Sequence, residues 1–218
     1  MFKKLFMLFI IGRKLSTSGV TSSIYEIYNP SMPIKIFFFI IGFSFKNKKN
    51  NRNLSVGNKL CHALQQMGTT FIKLGQFLST RPDIIGESIS KELEKLQDKL
   101  PPFDLTTSKN ILRKELGTAN FDMISNLSEP IAAASIAQVH FAEINISGIQ
   151  KKVALKILRP NIEKVFNEEL DALMLLAYIV QALVKKTERL KLVEIVQLLR
   201  EITNVEMDLR FEAAAANE

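Results

Sequence analysis

The stretch EPIAAASIAQVHFAE, residues 129–143, decides what the rest of the chain can build. Laid on the spacing of glycine-rich nucleotide loops, G-x-G-x-x-G-x-V, it puts Ala132, Ala134 and Ala137 in the glycine positions and Val139 in the valine position. Two readings are open. One is a phosphate loop rebuilt in alanine, with Ala133 and Ser135 in the variable positions; the other is a small-residue turn that holds nothing. Alanine narrows the backbone conformations open to a loop, above all those with positive φ. A phosphate loop built this way is expected to be stiffer than one of glycine and to select nucleotides differently.

Just downstream, residues 137–146 and 152–158 are short apolar-biased runs separated by Ser147-Gly148, the pattern of two strands joined in a hairpin. The second run contains Val153-Ala154-Leu155-Lys156, matching V-A-I-K, whose lysine meets the α- and β-phosphates of a nucleotide. Such a lysine needs a carboxylate to hold its ammonium in place. Glu206, Asp208 and Glu212 are the candidates, and Glu212 lies in RFEAAAAN, where small residues let a helix approach a sheet closely. The alternative for Lys156 is an exposed lysine on an edge strand.

Upstream, Leu60, Leu64, Met67, Phe71, Leu74 and Leu78 recur at spacings of three and four, which predicts one amphipathic helix. About 200° away lies a polar row of Gln66, Thr69, Lys73, Gln76 and Thr80, either a solvated face or one that addresses something else. Gly75 inside that helix costs about 1 kcal/mol relative to alanine and signals a close approach. Further helices are expected at Ser88–Leu100, closed by Pro101-Pro102, and from a Thr106 or Thr107 cap to Gly117. Beyond the hairpin, residues 172–184 are too short an apolar run to span a membrane and read as a core helix. A last helix carries Leu192, Ile195, Val196, Leu199, Ile202 and Val205.

The net charge of +7 is a property of the N-terminus: residues 1–60 hold ten of the 29 basic residues and a single acid, Glu26. Beside the apolar runs of MFKKLFMLFIIGRK and Ile36–Phe45, that charge favours an anionic membrane surface over nucleic acid. Both runs fall short of the ~20 apolar residues a spanning helix needs, and no A-x-A cleavage site follows the first, so residues 1–50 are expected to be peripheral, with secretion and spanning as the alternatives. Lys46–Asn53 reads as a linker. The lone Cys61 excludes an internal disulfide and, beside His62, is expected to be a packed helix position.

At this point the residues resemble a known family. Residues 129–140 are similar to the alanine-rich loop of the UbiB/aarF atypical kinases, also called the ADCK family. Gly68 to Gln76 resembles their K-x-G-Q signature, with Lys73, Gly75 and Gln76 in its named positions, and LSTRPDII and LQDKLPPF follow in order. Glu206-Met207-Asp208 resembles their E-x-D motif, and Arg210 to Ala214 the helix that partners the lysine. The resemblance runs from about Leu60 to the last residue. It implies that the alanine loop covers ATP or ADP with Mg²⁺, that Lys156 and Glu212 anchor the phosphates, and that Lys73 and Gln76 fold back over the active site. Glu206 and Asp208, about 200° apart on a continuous helix, are expected to serve different partners.

Neither H-x-D with a downstream Asn nor D-F-G occurs in the sequence, and both histidines, His62 and His140, precede Lys156. The expectation is therefore the N-terminal half of such a protein, inactive by itself, with no catalytic or metal-binding residue of its own. The fold class expected is α+β and mostly helical: a membrane-peripheral leader and linker (1–53), a helical K-x-G-Q extension (54–128), and a partial kinase-like N-lobe with a small antiparallel sheet (129–218), without the C-lobe. By resemblance the role is support of ubiquinone (polyprenylphenol) biosynthesis on the cytoplasmic side of a bacterial inner membrane. Expected partners are the membrane surface, isoprenoid quinone precursors and other proteins of that biosynthesis, with no nucleic acid. Some relatives are named for a polyprenylphenol hydroxylation step, but no flavin fingerprint or clustered metal ligands appear, which disfavours a direct hydroxylase. The alternative is a non-catalytic, membrane-peripheral scaffold or quinone-lipid-binding module.

Overall fold

A computed structural model describes residues 2–22, 32–40, 54–96, 100–146 and 148–215. The expected linker at Lys46–Asn53, the end of the run Ile36–Phe45, the last part of the expected helix Ser88–Leu100 and Ser147 of the hairpin turn lie outside the described residues. The chain is α+β and mostly helical, with one small antiparallel sheet. It divides into two compact units, Met1–Gln97 with Lys164–Asn204, and Asp98–Glu163 with Val205–Glu218. This division follows packing, whereas boundaries at 53 and 128 follow composition and motif.

The first unit contains α1 (Phe2–Ser18), α2 (Met32–Ile40), α3 (Val56–Met67), α4 (Thr69–Ser79), the short α5 (Pro82–Ile85) and α6 (Glu87–Leu93). Most of α8 (Ile162–Leu183) and of α9 (Leu192–Met207) completes it, with a 3-10 helix, Lys185–Leu190, between them. The amphipathic stripe from Leu60 to Leu78 is two helices, not one. Gly68 sits at φ 108° and ψ −168°, outside helical space, and its carbonyl accepts from the N–H groups of Phe71 and Ile72 to start α4. Leu64, Met67 and Phe71 are nevertheless all buried, because the break keeps the stripe on one side.

Gly75 is explained by packing. A Cβ there would stand 2.2 Å from Leu96 Cδ1 and 2.8 Å from Leu64 Cδ1, so both buried leucine side chains would have to shift to admit one. α6 ends at Leu93 rather than running on: backbone bonds from Lys95 to Glu92 and from Leu96 to Leu93 tighten the chain, and Leu96 packs at Gly75 with 5% of its surface exposed. Cys61 is buried as expected; burial first, and then the nearby Glu92, push its thiol above the ordinary range.

On α8, Phe166, Leu170, Ala172, Leu173 and Ala177 form a buried face at helical spacing. Two leader lysines are tied to that helix: Lys3 Nζ lies 2.5 Å from Glu168 and Lys4 Nζ 2.9 Å from Asp171. Arg200 also meets Asp171, at 2.8 Å, so Lys4 and then Arg200 hold that carboxyl below its usual range. Glu169, half-buried on the same helix, is pushed up by burial, with Thr70 and Lys14 opposing. Among the described residues, no helix is long and apolar enough to cross a membrane.

The second unit holds α7 (Leu105–Phe121), a four-stranded sheet and α10 (Leu209–Ala215). Asp104, rather than Thr106 or Thr107, caps α7: its Oδ1 accepts from the Thr107 N–H at 2.7 Å and its Oδ2 from the Thr107 hydroxyl at 2.7 Å. Helical backbone stops at Gly117, φ 75° and ψ 161°, as its place in the sequence suggests, and resumes for one turn. In the sheet β3 (Ala137–Ile146) is central. It pairs along its length with β4 (Ile149–Leu158), while β2 (Pro130–Ala133) and β1 (Ile124–Ser125) share its other edge.

Alternation along β3 sorts the two faces. Gln138, His140 and Ala142 point into the unit and are fully or almost fully buried. Gln138 Nε2 donates to the Phe103 carbonyl at 3.0 Å and to Ser108 Oγ at 3.0 Å, and its Oε1 accepts from the Phe103 N–H at 2.9 Å. His140 Nδ1 donates to the Ser128 carbonyl at 2.8 Å, which leaves Nε2 as the acceptor for the Ser108 hydroxyl at 3.1 Å. These bonds tie α7 and the segment before it to the sheet. The other face, carrying Val139, Phe141, Ala154 and Lys156, is the one left for a site.

Candidate functional site

The register places Ala132 opposite Val139, and Val139 opposite Lys156. Directly paired residues point to the same face, so one row across three strands carries a small side chain, a branched apolar one and a cation. The turn above that row closes where the Ala134 N–H donates to the Ala137 carbonyl at 2.8 Å. The non-glycine residues with positive φ among those described are Asn126, Asn161 and Lys191; Ala132 to Val139 contain none. The turn thus uses backbone that alanine adopts without strain, and its residues Ser135, Ile136 and Ala137 are buried. Ala132 is exposed, and Ala133 and Ala134 are half-buried.

Lys156 lies on β4, with its Nζ 2.5 Å from Glu212 Oε2 of α10. Of the three carboxylates the sequence offers, Glu212 is the one this lysine meets. The side chains are 33% and 59% exposed, so the pair contributes only ~0–1 kcal/mol to stability. Its effect is to aim an ammonium along the exposed face of the sheet. Glu206 is half-buried near the end of α9.

Asp208 sits in the break between α9 and α10, so the two acids of the E-x-D motif do not share the continuous helix assumed for their 200° separation. Asp208 receives a bidentate bond from Arg210, at 2.8 and 2.6 Å, and caps α10 by accepting the Arg210 N–H at 3.1 Å. The Arg210 guanidinium holds its carboxyl below the usual range. Lys73, Gly75 and Gln76 lie on α4 in the first unit. There Lys73 and Gln76 are half-buried and Gly75 is buried, and Gln76 Nε2 makes a long 3.5 Å contact with the Leu96 carbonyl.

A cleft of about 490 Å³ opens on the sheet, with Phe141, Glu143, Lys152 and Ala154 among its walls. Phe141 and Ala154 face each other and lie two residues from Val139 and Lys156, on the same face. They extend the row into an apolar surface fit for a planar ring beside a cation fit for phosphate. Neither was singled out from the sequence, although two-residue alternation from Val139 and Lys156 reaches both. Gln138 and Arg159 were also missed; a polar residue at an inward-facing strand position was the available signal for Gln138. The row fits a nucleotide's phosphates: a held ammonium beside a closed, small-residue turn. Among the described residues no three His, Cys, Asp or Glu side chains converge to hold a metal ion.

Comparison with known proteins shows what the chain is similar to. The ABC1 atypical kinase-like domain matches residues 95–218. A protein named "Probable protein kinase UbiB" from Marinobacter nauticus is 37% identical over 188 residues, which covers 85% of this chain and 33% of that protein. The protein of the same name from Vibrio atlanticus is 39% identical over 175 residues, 80% of this chain and 31% of its own length. The chain spans about a third of the length of the curated relatives it matches.

Proposed function

The chain belongs to the ABC1 atypical kinase-like family of UbiB-type proteins, and on that premise we propose that the sheet of its second unit supplies the phosphate-anchoring part of a nucleotide site. The observation that carries this is the Lys156–Glu212 contact in one row with Ala132 and Val139. Glu212 keeps the ammonium extended, Lys156 donates to phosphate oxygens, and the alanine turn lies over them. Phe141, Val139 and Ala154 offer the apolar surface for the base. A bound nucleoside triphosphate, with Mg²⁺, would bring the transferable phosphoryl group. These 218 residues contain no H-x-D or D-F-G, so the polypeptide alone is expected to bind nucleotide weakly and to show no phosphotransfer.

Weak binding is visible by NMR where a thermal shift is not, since a shift of ~2.7 kcal/mol requires ligand at about a hundred times Kd. Titration with Mg-ATP and with Mg-ADP is expected to move the amide signals of Ala132 to Val139 and of Lys156. No movement there at millimolar nucleotide would sink the proposal.

The biological setting we propose is support of ubiquinone biosynthesis through isoprenoid quinone precursors and companion biosynthetic proteins, at the cytoplasmic face of a bacterial inner membrane. The motifs that stand in family order support it, and α1 supports the membrane part. Phe2, Leu5, Phe6 and Phe9 recur at helical spacing and are all exposed, while Leu8 and Ile11 are buried. The chain is expected to float with vesicles rich in anionic phospholipid, and a Phe2→Ser/Phe6→Ser variant to stay behind; equal flotation of the two would remove α1 as the contact.

A further inference from the structure

The alanine turn is gripped by a residue outside every motif named above. Arg159 directly follows β4, three residues beyond Lys156. Its Nε and Nη2 both donate to the Ala134 carbonyl, at 3.0 and 2.9 Å, and its Nη1 donates to the Pro101 carbonyl at 3.0 Å. Its backbone N–H donates to the Ile136 carbonyl at 2.8 Å. One residue therefore holds the carbonyls on both sides of Ser135, in a turn whose Ala134 N–H is already bonded to the Ala137 carbonyl.

The chemistry of this grip is unusual for an arginine. A planar fork of donors is normally matched to a carboxylate or phosphate. Here it is spent on main-chain oxygens, beside the Phe103 ring at 6.0 Å. Burial lowers the guanidinium's pKa, and no carboxylate contributes to offset that cost. Two donors on one carbonyl fix the orientation of the Ala134–Ser135 peptide plane, which alanine substitution alone does not do. The third donor attaches that plane to Pro101, in the Pro-Pro segment that leads into the Asp104 cap of α7.

We propose that Arg159 is the positioning residue of the alanine turn: it locks the turn's shape from beneath and thereby sets how the turn receives the phosphates of ATP and ADP. The second half of this statement rests on the nucleotide reading given above; the first does not. The two are separated by measuring the turn with and without nucleotide in the 218-residue chain. Without nucleotide, Arg159→Gln is expected to raise hydrogen exchange at the Ala134 amide about tenfold or more, the factor that follows from losing charge-assisted bonds. Arg159→Lys, which keeps the charge but not the fork, should fall between, and β3–β4 amides remote from the turn should be unchanged.

Unchanged Ala134 exchange in the glutamine variant would overturn the lock. General acceleration throughout the sheet in both variants would also overturn it, by making Arg159 a plain stability residue. With nucleotide, the ratio of ATP to ADP affinity read from NMR titration should change by severalfold in Arg159→Gln. A loosened turn with an unchanged ratio would refute the phosphate role and leave the lock. If wild type responds to neither nucleotide, the nucleotide reading fails while the exchange result still decides the lock.

Discussion

Replacing Gln138 by alanine is expected to destabilise the sheet unit by about 3 kcal/mol, a large share of what a small domain has. The side chain is fully buried and satisfies both the N–H and the carbonyl of Phe103, besides donating to Ser108. Truncation removes these bonds together, leaves the half-buried main-chain groups of Phe103 without their side-chain partner, and opens a cavity in a fully buried position. Denaturant titration followed at β3 amides measures this for the unit itself. A loss below about 1 kcal/mol would mean that water replaces the side chain and that the network does not hold α7 to the sheet.

Replacing Lys156 by alanine is expected to leave that stability within about 1 kcal/mol of wild type while removing the nucleotide response. The two outcomes diverge because a partly exposed ion pair stabilises little, whereas a lysine–phosphate bond is charge-assisted and worth ~1.5–3 kcal/mol. Affinity for Mg-ATP and Mg-ADP should drop by ten- to a hundredfold on that basis, read from the amides of Ala132 to Val139. Equal affinity in the variant would show that nucleotide, if bound, is bound elsewhere; unfolding of the variant would show Lys156 to be structural.

The strand periodicity of residues 137–158 made the hairpin legible, and V-A-L-K inside it made Lys156 a candidate with a chemical reason. Small neighbours single out Glu212 in the sequence, and the sheet and α10 bring it to Lys156. The breaks were harder to see. Gly68 interrupts a stripe whose apolar spacing continues through it, because a single residue at positive φ can redirect the chain without changing which side is buried. Asp208 likewise ends one helix and caps the next, in a motif that reads as helical throughout. Arg159 carried no signal at all: its partners are main-chain carbonyls, 25 and 58 positions away in sequence, and carbonyls have no residue type to recognise.

The same long-range bonds give the LPPF segment a purpose that its composition did not disclose. Pro101 and Phe103 offer main-chain groups to Arg159 and Gln138, so a loop that looks like a helix terminator is a strap beneath the turn. Its two prolines remove backbone donors and restrict φ, which suits a segment held by its carbonyls.

Zero-length carbodiimide cross-linking tests most directly whether Lys156 and Glu212 meet on the sheet below the alanine turn, because an amide forms only between an amine and a carboxylate already in contact. Peptide mapping of the treated chain is predicted to recover a Lys156–Glu212 isopeptide alongside the Lys3–Glu168 and Lys4–Asp171 links expected from their ion pairs. Recovery of those two links without any between residues 156 and 212, or a Lys156 link to a different acid, would contradict the phosphate-anchoring site.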